Sequence, residues 1–199
     1  MIDMNETQKV ALRRWDRLRT MKSGPLRKLG WAEGPRALAR HHVLEILRIL
    51  NDVFLFGVLE LEFAWQSRDQ NVLGQCIGSR IELTSHCSHF MHPNVSECEA
   101  RTLSRLGTLA HEAIHAYLNQ LSCPQCPTYD VNCGNAEGHG RAFHYIASAI
   151  EQRSLDLFGF QLFVAGKSDL TANWHGVRHL PSVHDLEEWK WFADMRPFW

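Results

Sequence analysis

Apolar residues recur at three- and four-residue spacing in some stretches of the chain and alternate with polar ones in others. Leu103, Leu106, Ala110, Ile114, Tyr117 and Leu121 form the clearest helical stripe, with no proline inside it. Ser96, followed three residues later by Glu99, is a reciprocal capping pair, so the pattern predicts a helix over 97–121. Gly107 is its weak spot, costing about 1 kcal/mol relative to alanine in a helix interior. Similar spacing predicts helices over 6–21, 36–56 and 139–155, with a weaker one over 183–194. Leu59, Leu61, Phe63 and Trp65 alternate with Glu60, Glu62 and Ala64, and Ile81 and Leu83 alternate again. These runs predict strands over 58–65, 72–77 and 80–84, each with one covered face. The implied fold class is α+β, a small mostly antiparallel sheet packed on helices.

A chain of 199 residues with 45% hydrophobic content can bury a substantial core without staples. Its formal charge of -1 hides an asymmetry: residues 1–48 hold 11 Lys/Arg against 5 Asp/Glu, and residues 49–199 hold 10 against 17. Arg13, Arg14, Arg17, Arg19, Lys22, Arg27, Lys28, Arg36 and Arg40 are suited to phosphates, with Trp15 and Trp31 available to stack on unpaired bases. The competing reading is an amphipathic helix that packs Val10, Leu12, Trp15 and Leu18 and leaves its arginines hydrated. The first residues lack the apolar core of a secretory signal, and Asp3, Glu6 and Asp16 argue against a mitochondrial presequence. The most apolar stretch, 53–65, carries Glu60 and Glu62 and is shorter than the roughly 20 residues a membrane span needs. The expected location is intracellular, where the six cysteines would be thiols or metal ligands rather than disulfides.

The long helix contains His111-Glu112-Ala113-Ile114-His115. Residues four apart share a helix face, separated by about 6 Å along the axis, so both imidazoles can reach one tetrahedral Zn2+. Glu112 then lies beside the open coordination position, where a carboxylate can take a proton from water whose pKa the metal lowers to about 7. The third ligand must come from elsewhere, and His139 within Gly138-His139-Gly140 is the best candidate, projecting from a helix N-terminus. His144, Glu137 and Asp130 are the competitors.

Cys123, Cys126 and Cys133 have part of the spacing of a second metal site, or of a local disulfide. His86, His89 and His92 read as a polar loop closed by Pro93, and Pro181 separates His175 and His179 from His184. Trp189, Trp191, Phe192, Phe198 and Trp199 are expected to cover the core.

At these motifs the chain resembles the SprT-like, Spartan-related zinc metallopeptidases. The resemblance covers roughly 36–153 and rests on Leu50-Asn51-Asp52-Val53-Phe54, Phe56-Gly57-Val58-Leu59, Phe63-Ala64-Trp65, Leu73-Gly74 and Ile81-Glu82-Leu83. Its specific parts are Thr108 to Ala116 and Gly138-His139-Gly140 with Phe143. The resemblance implies a minimal zincin-like domain in which His111, His115 and His139 bind zinc and Glu112 is the catalytic acid/base. It further implies protein substrates, stimulation by DNA, and DNA–protein crosslink repair in the nucleus. The chain departs from the family pattern in the long interval from His115 to His139, which carries the three cysteines. It also shows no paired Cys-x-x-Cys ribbon after residue 153.

The expected organisation is a basic helical segment over 1–35, the metallopeptidase domain over 36–160 and an aromatic-rich extension over 161–199. The strand at 80–84 is the expected edge on which an extended peptide would dock. Tyr117, Arg141 and Tyr145 are alternatives for oxyanion stabilisation, with core packing or solvent exposure the favoured role for all three. The alternative function is a zinc-stabilised binding module without turnover, and a weaker one is an exported peptidase with a disulfide-closed rim.

Overall fold

The computed structural model describes residues 4–32, 36–66, 72–85, 95–134, 138–172 and 179–195. Two amphipathic helices, α1 (Glu6–Thr20) and α3 (Arg40–Phe54), pack side by side. Asn5 caps α1 in a reciprocal box with Gln8, which sets the start at residue 6. Between them lies α2 (Pro25–Trp31), which the apolar pattern does not reveal; Pro25 at its first turn is the local signal for it.

The sheet comprises β1 (Glu62–Gln66), β2 (Gly74–Ile77) and β3 (Arg80–Thr84), in the order β1-β3-β2. β2 and β3 form an antiparallel hairpin, while β1 runs parallel to β3 with Phe63 opposite Ile81 and Trp65 opposite Leu83. The sheet is therefore mixed rather than mostly antiparallel. The order also corrects the expected docking edge, because β3 is paired on both sides and the edges of this sheet are β1 and β2. The first strand starts later than its alternation predicts. Asn51, 4% exposed on α3, receives the Leu59 amide and donates to the Leu59 carbonyl, holding that residue out of the ladder.

The central helix α4 (Glu97–Leu121) has the predicted limits, with Ser96 and Glu99 making the predicted capping box. It packs against α2, β2, β3 and α6. Its buried Arg105 donates to the Leu29 and Ser85 carbonyls, tying the end of α2 and the end of β3 to one side chain. After it come α5 (Tyr129–Cys133), α6 (Arg141–Phe158), α7 (Gly166–Ala172), α8 (Val183–Glu188) and α9 (Phe192–Met195). The predicted helix over 183–194 is thus two short ones, interrupted where Lys190 adopts φ 59°.

One buried cluster runs through α1, α2, α3, the sheet, α4 and α6, and a second joins Leu170, Leu186, Trp189, Trp191 and Met195. Trp15 belongs to the first cluster. It is fully buried, stacks on Phe158 at 4.1 Å and donates its indole N–H to the Phe158 carbonyl. It is therefore unavailable to nucleic-acid bases, which decides for the packed reading of α1 at that residue. Trp31 is 52% exposed and has the Arg101 guanidinium over its ring. Trp189 and Trp191 are buried as expected, whereas Phe198 and Trp199 lie outside the described residues. No described helix is long and apolar enough to cross a membrane.

Candidate metal centre

His111 and His115 project from one face of α4 because they are one helical turn apart. His139 arrives from the turn before α6, with Gly140 as the N-cap, so it stands just outside the helix rather than in its first turn. Gly138 makes this approach with φ 79°, and a Cβ there would lie 3.3 Å from His115 Nδ1. The three Nε2 atoms meet: His111 to His115 is 3.2 Å, His115 to His139 is 3.0 Å and His139 to His111 is 3.0 Å. Nitrogen ligands about 2.0–2.1 Å from a tetrahedral metal lie about 3.3–3.4 Å apart, so the triangle is close to what one cation requires. Among the described residues these histidines are the one group of three or more metal-binding side chains with ligand atoms within 4.8 Å of one another.

The surroundings orient the rings. His111 Nδ1 lies 2.8 Å from the Val164 carbonyl oxygen. A carbonyl only accepts, so Nδ1 carries the proton and Nε2 presents its lone pair to the shared point. Phe143, fully buried, lies 4.5 to 4.9 Å from all three imidazole centroids and forms an apolar floor beneath them. Sequence reasoning missed Val164 as a partner of the site, since nothing in an apolar run marks one backbone carbonyl from its neighbours.

Glu112 is 6% exposed, and burial pushes its carboxyl up to about 8. Its stem lies against the start of β2: a Cβ at Gly74 would be 3.3 Å from Glu112 Cγ and 2.6 Å from Thr108 Cγ2. Cys76 on β2 is also close, its thiol pushed up to about 11 by burial and then by the Glu112 charge. An acidic side chain, an edge strand and three convergent imidazoles therefore gather around the stretch 108–115 of α4.

The competitors for the third position lie elsewhere. His144 is buried between Phe143 and the indoles of Trp189 and Trp191. Asp130 faces His179 at 3.0 Å, and Glu137 lies outside the described residues. Cys123 and Cys126 are exposed, the Cys123 thiol donating to Gln125 Oε1, and with half-buried Cys133 they do not form a three-donor metal group. His86, His89, His92 and His175 lie outside the described residues. Arg141 is held by Asp185, Tyr145 is exposed and Tyr117 packs on the core. Comparisons with models of protein families, with curated proteins and with solved structures give no match.

Proposed function

We propose that the chain is a zinc-dependent endopeptidase of the SprT-like type, built as a minimal zincin-like domain. The observation that carries the proposal is the meeting of three Nε2 atoms within 3.2 Å, two of them on the helix that also bears buried Glu112. Three imidazoles leave a fourth tetrahedral position free, the ligand pattern of a catalytic rather than a structural zinc. His111, His115 and His139 would hold the zinc, which would supply Lewis acidity for activating water near neutral pH and polarising a peptide carbonyl.

The chain's own residues do the rest. Glu112 takes the proton of the attacking water and later passes it to the leaving amine, and a neighbouring cation favours the carboxylate form this requires. The hydrogen bond from His111 to Val164 aims the Nε2 of that ring at the shared point, and Phe143 packs against all three imidazoles. An extended peptide is presented by β2, the edge strand beside Glu112, through main-chain hydrogen bonds.

The same reading includes stimulation by DNA and a role in crosslink repair in the nucleus. Arg13, Arg17, Arg19, Lys22, Arg27 and Lys28, exposed on α1, α2 and the turn between them, support it as phosphate contacts. The deciding experiment is cleavage of an unfolded protein by zinc-loaded chain, with and without single-stranded DNA. Glu112→Gln should retain one zinc and lose activity by about 10²–10⁴-fold. Undiminished proteolysis in that variant refutes the assigned base, and zinc binding without any proteolysis in the wild type leaves a binding module instead.

A further inference from the structure

The segment 161–165, between α6 and α7, belongs to no helix or strand, and its residues alternate between exposed and buried, with Leu162 and Val164 fully buried. Chain outside helices and sheets has no ladder of its own to satisfy its amides, so each buried one needs an acceptor from a neighbour. Two residues of α6 supply them: Ser154 Oγ accepts from the Leu162 amide at 2.8 Å, and Glu151 Oε1 accepts from the Val164 amide at 2.9 Å. Residues three apart on a helix share a face, so Ser154 and Glu151 receive alternate amides of the segment packed on that face. Val164 is thereby held at both ends, its amide by Glu151 and its carbonyl by His111 Nδ1.

We infer that Glu151 is a positioning residue of the metal centre, acting on His111 through Val164. It touches neither the cation site nor a substrate; its contribution is to fix where the carbonyl that orients His111 stands. A bare packing role would be met as well by an apolar side chain, because drawing even a half-buried carboxylate out of water costs free energy unless its hydrogen bonds are made. The inference rests on the histidines being a metal site, and not on proteolysis.

The test is the zinc dissociation constant of the full chain, measured by competition with a chelator, for wild type, Glu151→Met and Glu151→Gln. Circular dichroism at saturating zinc checks that each variant is folded. Methionine fills the space but accepts no hydrogen bond, and should weaken zinc binding by about 10–100-fold. Glutamine keeps an acceptor oxygen and should restore affinity to within about threefold of wild type, a rescue that loss of packing would not produce. Wild-type zinc affinity in folded Glu151→Met overturns the inference while leaving the metal centre intact; a wild type that binds no zinc removes both. Should the methionine variant fail to fold, amide hydrogen exchange in the zinc-loaded wild type decides: slow exchange at Val164 supports the anchor, and exchange as fast as at an exposed loop overturns it.

Discussion

A Cβ on Gly107 would collide with the carbonyl oxygen of Phe163, so the glycine in the middle of α4 is where the segment 161–165 crosses the helix. One helical turn later, His111 meets the next carbonyl, that of Val164. The weak point of the helix is thus the contact that brings a hydrogen-bond acceptor to a ring of the candidate metal centre.

Gly107→Ala should therefore destabilise the protein although it improves helix propensity. The propensity gain is about 1 kcal/mol, whereas forcing a methyl group into packed backbone costs about 1–3 kcal/mol. Displacing the segment also moves the Val164 carbonyl away from His111. Thermal unfolding should show a lower Tm and chelator competition a weaker zinc affinity; an unchanged or raised Tm contradicts the close approach.

His139→Ala and His144→Ala should separate cleanly. The first removes one of three converging nitrogens and should abolish stoichiometric zinc binding at micromolar metal. The second empties a buried space beside Trp189 and Trp191 and should lower Tm while zinc stoichiometry stays at one per chain. Metal analysis of the purified variants reads both outcomes.

The metal-free protein should lose stability as pH rises from about 4.5 to about 8, through Glu112. Its carboxyl has an ordinary value of 4.5 and is pushed up to about 8 by burial. In that interval the folded state keeps a proton that the unfolded chain has released, so stability falls with rising pH and levels off above the upper value. Glu112→Gln removes this dependence. The Tm difference between variant and wild type should grow in the variant's favour across the interval, and a difference independent of pH would count against the buried carboxyl.

Trp15→Ala should cost about 3–5 kcal/mol, the usual range for emptying a large aromatic site in a core. Any binding of single-stranded DNA by the folded protein should not depend on this indole, because it is stacked on Phe158. Arg17→Ala combined with Arg13→Ala should instead weaken DNA binding and reduce its salt dependence. Fluorescence anisotropy across a salt series measures this, and an unchanged salt slope would remove those arginines from the contact.

What the sequence determined by itself is local in origin. The limits of α4 follow from Ser96, Glu99 and the apolar stripe, because capping and helical periodicity act within a few residues. The meeting of His111 and His115 follows from helix geometry alone, and the glycines beside His139 marked where a second element comes close. Tertiary structure decided the rest, because it depends on contacts between residues far apart in the chain. Alternation of apolar residues reveals a strand but not its neighbours, so β3 as the central strand and the parallel pairing of β1 were not legible. Nor could the run 161–165 disclose that Val164 serves His111 and that Glu151 holds it, since a backbone carbonyl carries no residue signature and acquires its role only when another element is packed against it.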